Sequence, residues 1–499
     1  MDALYTSEKI FDGDEINPIE IQCIAEKWNS KTVETIAEAC EKKGQWSELP
    51  SPPLEKIYSF LSRADQVNMS LVCRKWSEGY SSPSVWKTFI FAMTESQLSM
   101  DTCPVMKFVR KYNSMFQHVE IKFPEIGYEH KIKTWCRHFI LFLQILTSNS
   151  QLISVNFRDL LLCFVYIDIA TYIDICRAIA NFLGSQRHLK RAEFHNCPFK
   201  FRQCVELLKE LTENSRESLT HLVLRYFVRY KSMKQEQDST VAHILPMLIG
   251  LPSLRTLEID YSLIFEDMFA RQSAAIQTLR KYQTRVLSKI ILNYDSNSIK
   301  IEDFRVLTST DWLLLKKLYP DLQVELNFTS DSPSRREVEF LIVPNMPITR
   351  LNYTYDDYHR HPSSPMEIDA LFDHLLACKT SDHLVSLHLK WILPIQDLIS
   401  TFIPLFQACK KLKCFQLSMA YPANGIDLLM EYWLVNRPQS LEKVLVDIWN
   451  IENECDYTIL MCLVAEYVPR LELVGLNVKV DLKDHSPSRP CRNNIYWID

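Results

Sequence analysis

A short pattern of apolar residues returns along most of this chain. Its form is apolar-x-x-apolar-x-apolar, as in LTHLVL, and its occurrences begin at Phe116, Leu152, Leu189, Leu219, Leu254, Leu287, Leu322, Ile348, Leu384, Leu412, Leu441 and Leu471. The alternation inside each occurrence predicts a strand, and the stretches between occurrences, such as FIPLFQACKKL, have helical spacing. A single strand and helix cannot bury their apolar sides, so about twelve stacked units predict an α/β solenoid, a parallel sheet backed by helices. The alternative is a doubly wound α/β domain, which seldom reaches twelve strands.

A different pattern precedes these units. Residues 46–91 read WSELPSPPLEKIYSFLSRADQVNMSLVCRKWSEGYSSPSVWKTFIF. Pro52 and Pro53 suit the first turn of a helix, where a missing N–H costs nothing, and Asp65 can cap a second helix. A segment this short buries little by itself, so its many large apolar residues predict a docking module that another protein completes. The alternative is a helical hairpin packed on the chain's own body.

The order Leu-Pro, Leu-x-x-Ile, Asp, Val-Cys-Arg-Lys-Trp and Trp in this segment resembles the F-box family. The resemblance implies binding to the adaptor Skp1, and through Skp1 to the cullin and RING subunits of a ubiquitin ligase. Pro53 departs from the family, whose members often carry an aliphatic residue there. The Skp1 contacts that the resemblance implies are Leu49, Pro50, Leu54, Ile57, Leu61, Val67, Leu71, Val72, Cys73, Trp76 and Trp86.

An F-box followed by these repeats resembles the F-box proteins with leucine-rich repeats, whose repeats form a horseshoe. Within that family VCRKW, Trp86 and the segment KFVRKYNSMFQHVEIKF are most similar to the group of F-box only proteins 39 and 33. The repeat steps of 26 to 37 residues exceed the usual 20 to 29, so the repeats are irregular and rich in helix. The implied division is an N-terminal helical extension at 1–45, an F-box at 46–91, a helical connector at 92–112, a leucine-rich-repeat solenoid at 113–480 and a C-terminal tail at 481–499.

Composition narrows the classes of function. The chain has 47% hydrophobic and 23% charged residues and a net charge of -5, so we expect a globular protein that binds no nucleic acid. The longest apolar run, LLLCFVYI, is too short for a membrane helix, and the amino terminus lacks the features of a signal peptide. We therefore expect an intracellular protein, cytoplasmic or nuclear, with reduced cysteines and no membrane association.

No motif for chemistry is present. The eight glycines form no phosphate-binding loop, and the chain contains neither HExxH nor GxSxG. The close Cys and His pairs, Cys197 with His195 and Cys136 with His138, lack a second pair at zinc-site spacing. Cys73 would need an exposed, electropositive setting to act as a nucleophile, whereas its place resembles an apolar F-box packing position. We expect no cofactor, no metal and no catalytic activity.

Target recognition is expected on the strand residues that point away from the apolar core. The predicted target contacts are Lys122, Arg158, Arg191, His195, Arg225, Asp260, Asn293, His388 and Lys390. Arg158, Arg191 and Arg225 are interpreted as one stripe that could take a carboxylate or a phosphorylated segment. The alternative for each residue is an ordinary solvated face. The expected function is thus the substrate-recognition subunit of a Skp1–cullin–F-box ligase, or alternatively a repeat scaffold that acts outside any ligase.

Overall fold

The computed structural model describes residues 49–61, 63–98, 103–124, 128–149, 152–229, 251–263, 286–304, 306–331, 334–355, 368–392 and 395–483. The predicted N-terminal extension and all but the first three residues of the predicted tail lie outside these ranges. The chain divides into two compact units, one of Met1–Ala192 with Lys209–Ser215 and one of Glu193–Leu208 with Arg216–Asp499.

The first unit begins with short helices where the sequence predicts them. They are α1 (Ser51–Tyr58), α2 (Arg63–Ser70) and α3 (Arg74–Tyr80), followed by strand β1 (Thr88–Phe91) and helices α4 (Glu95–Leu98) and α5 (Pro104–Tyr112). Helix α1 begins at Ser51 and has Pro52 and Pro53 in its first turn, as expected of residues without an N–H. Asp65 lies inside the first turn of α2, so the expectation that it precedes and caps this helix is wrong.

Parallel strands alternating with helices follow in the first unit. These elements are β2 (His118–Lys122), α6 (Glu129–Thr147), β3 (Ser154–Arg158), α7 (Leu160–Tyr166), α8 (Ile169–Ser185) and the first residues of β4 (Arg191–His195). Strand β1 pairs with β2, and β2 pairs with β3. The sequence prediction missed β1, in which Phe89 and Phe91 are buried while Thr88 and Ile90 are exposed. The sheet therefore begins inside the range predicted as F-box.

The second unit continues the alternation of strand and helix. Its elements after β4 are α9 (Phe201–Asn214, shared with the first unit), β5 (His221–Arg225), β6 (Thr256–Asp260), β7 (Lys289–Asp295), α10 (Ser309–Leu318), β8 (Gln323–Ser330), α11 (Arg335–Leu341), β9 (Ile348–Tyr355), α12 (Ile368–Ala377), β10 (Ser386–Trp391), α13 (Leu398–Ala408), β11 (Cys414–Ala420), α14 (Ile426–Asn436), β12 (Lys443–Trp449), α15 (Glu454–Leu473) and β13 (Asn477–Lys483). From β5 to β13 each strand is parallel to the next one in the chain. This order contains no reversal of the kind that a doubly wound sheet has.

The core lies on the face of the strands that the apolar positions share. In β11, for example, Phe415 and Leu417 are buried while Cys414 and Gln416 are half-buried. Large side chains from the helices complete the core, among them Trp312 of α10 and Trp433 of α14. The prediction of an α/β chain with amino-terminal helices followed by parallel strands is confirmed.

The last predicted repeat is wrong in position. LELVGL at Leu471 was predicted as a strand, but Leu471 belongs to α15. The helix ends with Gly475 at a φ of 81°, and the N–H of Leu476 donates to the carbonyl of Leu471 at 3.0 Å. This is a Schellman ending, in which two buried leucines meet across the helix end. Strand β13 starts at Asn477 and runs to Lys483, past the boundary predicted at residue 480.

Candidate protein-interaction surfaces

The three first helices form a small core of their own. Leu54 and Tyr58 of α1 are buried, and the Tyr58 hydroxyl donates to the carbonyl of Trp76 at 2.7 Å. Helix α3 approaches closely at Gly79, where an added Cβ would lie 2.6 Å from Leu54 Cδ2. Gln66 of α2 donates to the carbonyl of Tyr58 at 2.7 Å. The apolar face predicted for α1 is therefore divided, and part of it is already covered by α3.

This core separates the eleven predicted Skp1 contacts into two sets. Leu54, Val67 and Trp86 are buried at 1%, 0% and 4% exposure, so direct contact with a partner is not open to them in this structure. Helical spacing marks an apolar face without saying what covers it, and these three side chains are covered by the chain itself. The accessible set comprises Leu49, Pro50, Ile57, Leu61, Leu71, Val72, Cys73 and Trp76, which are half-buried or exposed.

Three large apolar side chains of this segment are well exposed. Leu71 is 53% and Val72 64% exposed, in the turn between α2 and α3. Phe60, which the sequence prediction omitted, is 75% exposed just after α1. The term apolar F-box surface is used here for Phe60, Leu71 and Val72. Removal of exposed apolar groups of this size from water by a partner lowers the free energy of the complex.

Trp86 joins the helical segment to the strands. Its ring lies 4.9 Å from that of Tyr80, 4.7 Å from that of Phe108 and 5.8 Å from that of Tyr112, measured between centroids. Its indole N–H donates to the carbonyl of Tyr80 at 2.8 Å. On the strand side Phe89 of β1 stacks on Phe108 at 5.7 Å. Trp86 thus packs between α3 and α5, and Phe108 of α5 in turn contacts β1, all in the first unit.

The open strand face of the first unit carries mixed charge. Lys122 and Arg158 are paired in register at the ends of β2 and β3. Arg158 Nε lies 3.4 Å from a carboxylate oxygen of Glu120, so its charge is partly balanced. Both cations are among the predicted target contacts.

The predicted arginine stripe is wrong as drawn. Arg158 and Arg225 are the last residues of β3 and β5, whereas Arg191 is the first residue of β4. The residue of β4 that corresponds to them is His195, whose Nε2 lies 3.0 Å from the carboxylate of Glu193. Arg191 therefore stands at the opposite end of its strand from the other two positions.

A polar pocket in the second unit gathers three predicted target contacts. Arg225, Asp260 and Asn293 line it together with Tyr226 and Asp295. Asp260 accepts from the Tyr226 backbone N–H at 2.8 Å, and Asp295 accepts from the Tyr226 hydroxyl at 2.7 Å. The side chain of Tyr226 is thus held across the ends of β5 to β7. The sequence prediction missed Tyr226 and Asp295 because both lie beyond the alternating part of a repeat.

An amide ladder crosses the open strand face beside this pocket. Asn352 Nδ2 donates to Asn327 Oδ1 at 2.6 Å, and Asn327 Nδ2 donates to Asn293 Oδ1 at 2.7 Å. Asn293 in turn donates to Glu258 at 3.0 Å. All three asparagines sit in a Leu-Asn-aromatic tripeptide, LNY, LNF and LNY, a signal that could have identified the ladder from sequence. Ladders of this kind hold the side chains of neighbouring strands in one orientation.

The remaining predicted target contacts, His388 and Lys390, lie on β10. His388 Nε2 is 3.1 Å from the Ser386 hydroxyl. Burial, with smaller contributions from the charges of Arg350 and Lys443, lowers the pKa of His388 below its usual range. His388 is therefore neutral at physiological pH and presents a polar, uncharged group.

Two further features are absent from the described residues, a metal-binding group and a membrane-spanning helix. Within those ranges no three His, Cys, Asp or Glu side chains are grouped so as to hold a metal ion. None of the helices so described has the length and apolar character to cross a membrane.

Comparisons with known proteins agree on the amino-terminal segment. Residues 46–92 match the family model described as F-box-like. The chain is 30% identical over 81 residues to F-box/LRR-repeat protein 21 of Bos taurus and of Mus musculus, and 28% identical to that of Ovis aries. These matches cover 15% of this chain and 19% of each relative, so the chain spans about a fifth of the length of the curated relatives it matches.

One solved structure is similar over a longer stretch. It is described as the crystal structure of a TLR13–ssRNA13 complex, and the match covers 81% of this chain and 55% of that chain. Its TM-score is 0.28 at 11% sequence identity, which is too low to support an inference about this chain. The comparisons therefore support an F-box-like segment and a weak likeness to F-box proteins with leucine-rich repeats.

Proposed function

We propose that this chain is the substrate-recognition subunit of a Skp1–cullin–F-box ubiquitin ligase and is not itself an enzyme. The observation that carries the proposal is the apolar F-box surface, in which Phe60, Leu71 and Val72 are exposed within a segment that matches the F-box-like family model. In this proposal the surface binds Skp1, and Skp1 links the chain to the cullin and RING subunits. Such a role belongs to the cytoplasm or the nucleus.

The buried members of the predicted contact set have a different role in this proposal. Leu54 and Val67 hold the three helices together, so that Leu71 and Val72 are presented in a fixed turn. Trp86 packs this segment against α5 in the same compact unit, and Phe108 of α5 contacts Phe89 of β1. These contacts hold the proposed Skp1-binding turn in a fixed position within the first unit.

The strands that follow are proposed to form an irregular leucine-rich-repeat solenoid at about 113–480, as in the group of F-box only proteins 39 and 33. Parallel strands in chain order, with helices between them, support this proposal. Arg225 and Tyr226 of the pocket, with Asn327 and Asn352 of the amide ladder, are the proposed target-binding side chains there, because they are half-buried or exposed. Asp260 and Asn293 are buried and hold these groups by hydrogen bonds. Polar side chains that are already held in this way lose little entropy when a partner binds.

Co-expression with Skp1 and a cullin tests the proposal. In Val72→Asp a charge replaces an apolar group that is 64% exposed, so folding is expected to be unaffected and Skp1 capture is expected to be lost. The matched control is Val435→Asp on α14, where the valine is 73% exposed and lies in the other unit. The control is expected to capture Skp1 like the wild type.

Two outcomes count against the proposal. A folded wild-type chain that ignores Skp1 favours the alternative of a scaffold outside any ligase. Equal loss of Skp1 with both aspartate variants shows that general destabilisation, and not the apolar F-box surface, controls capture.

A further inference from the structure

Strand β13 leaves an edge of the second unit open. It pairs with β12 on one side, and no strand among the described residues lies on its other side. The N–H of Asn477 donates to the carbonyl of Glu442 at 3.0 Å. This bond shows that Asn477 is one of the β13 residues whose backbone groups face β12. In a parallel ladder the residues that bond one neighbour alternate with those that face away from it. Val478, Val480 and Leu482 therefore direct their N–H and C=O groups away from β12.

The sequence of this edge is complementary to itself. In an antiparallel pair of two copies centred on Val480, each copy's Val480 faces the other, and Val478 faces Leu482. This register uses all the outward N–H and C=O groups of the strand, because these three residues are the outward-facing ones. Lys479 of one copy then lies opposite Asp481 of the other, on both sides of the two-fold axis. Opposite charges at directly facing positions stabilise an antiparallel pair.

The existing contacts of these side chains are compatible with such a pair. Lys479 Nζ lies 2.8 Å from Asp481 within the strand, with the lysine side chain 65% exposed. The pair can therefore exchange partners between copies without moving far. Helix α15, which packs against β13, also exposes apolar groups, with Ile459 at 61%, Met461 at 46% and Leu473 at 88%. An apolar helix beside an open, self-complementary edge extends the surface that a second copy can cover.

We propose that two copies of this chain associate through antiparallel pairing of β13, with Lys479 and Asp481 as reciprocal contacts. The inference is independent of Skp1 binding, since it concerns the opposite end of the chain from the F-box. Binding of residues 484–499 to this edge is the competing outcome of the test.

Sedimentation equilibrium of the full chain tests the proposal between about 1 and 100 μM, where weak homodimers dissociate. The wild type is expected to show a reversible dimer. Lys479→Asp and Asp481→Lys each place like charges opposite one another at both symmetric positions, so each is expected to weaken the dimer about tenfold. The combined swap restores opposite charges and is expected to return the association constant to within about threefold of the wild type.

A backbone variant provides a second readout. Val480→Pro removes an outward N–H that β12 does not use, so the chain is expected to fold and to remain monomeric. The proposal is overturned by a wild type that stays monomeric throughout, or by a dimer that Lys479→Asp, Asp481→Lys and Val480→Pro all leave intact. It is also overturned for the full chain if dimers appear only after deletion of residues 484–499, because that segment then occupies the edge.

Discussion

Replacing Trp86 distinguishes a structural joint from a partner contact. The side chain is 4% exposed and packs against three aromatic rings. Trp→Ala at such a site costs about 3 to 5 kcal/mol, and the carbonyl of Tyr80 loses a hydrogen bond in addition. By contrast Val72→Ala removes two methyl groups from a side chain that is 64% exposed, which changes folding stability by less than about 0.5 kcal/mol.

Trp86→Ala and Val72→Ala are expected to behave differently in hydrogen exchange and in Skp1 binding. Because the chain divides into two compact units, local hydrogen exchange is a better measure than a single unfolding midpoint. Trp86→Ala is expected to accelerate exchange in β1 and α5 by about a hundredfold to several thousandfold, at roughly 1.4 kcal/mol for each factor of ten. Val72→Ala is expected to leave exchange unchanged and to weaken Skp1 binding about tenfold, if both methyls are buried by the partner.

The opposite pattern refutes this reasoning. If Trp86→Ala leaves the protection of β1 and α5 intact but abolishes Skp1 binding, Trp86 is a direct contact, as its sequence motif alone suggests. Trp86→Phe serves as the conservative control, because it keeps an aromatic ring among Tyr80, Phe108 and Tyr112 and is expected to retain most of the protection.

Two further predictions concern Glu337, which is buried, and Asn327, which is half-buried, both in the second unit. Burial raises the pKa of Glu337 above its usual range, although the hydroxyls of Ser330 and Tyr294 donate hydrogen bonds to its carboxyl group. A raised folded pKa means that the stability contributed by Glu337 is fully present below its unfolded pKa. That stability is lost as the pH rises through the folded pKa. Glu337→Gln is therefore expected to gain stability relative to the wild type in thermal melts as the pH rises above the unfolded pKa of a glutamate, and a gap that widens toward acid contradicts this. Asn327→Ala breaks the amide ladder on both sides and is expected to cost about 1 to 3 kcal/mol in denaturant unfolding, whereas a loss below about 0.5 kcal/mol shows that water replaces the amide.

The sequence predicted most strands because their pattern is local. Alternation of side chains follows from the geometry of an extended chain, so LTHLVL and LKCFQL reveal β5 and β11 without knowledge of their neighbours. The same reasoning failed at LELVGL, where apolar residues at similar spacing end a helix. A left-handed glycine at position 475 is the feature that decides this case.

Burial in the amino-terminal helices could not be read from spacing. Leu54 and Leu71 both occupy apolar positions of the F-box pattern, yet the first is buried and the second is 53% exposed. The difference arises from the close approach of α3 at Gly79, which covers one leucine and not the other. Only the packing of helices shows which apolar groups remain for a partner.

For the polar surfaces too, the sequence shows the residues but not the contacts between them. Three Leu-Asn-aromatic tripeptides are visible in the sequence, but their amides meet only because β7, β8 and β9 are paired in register, with one irregularity at Val324 and Glu325. The pocket around Tyr226 likewise depends on residues that are distant along the chain.

By itself the sequence determined the amino-terminal helical segment and the succession of strands and helices, because both follow from local periodicity and steric preference. The tertiary structure decided which apolar residues stay exposed, which asparagines bond one another, and that β1 opens the sheet while β13 ends it. These properties depend on contacts between distant segments, whose free energy no local pattern contains.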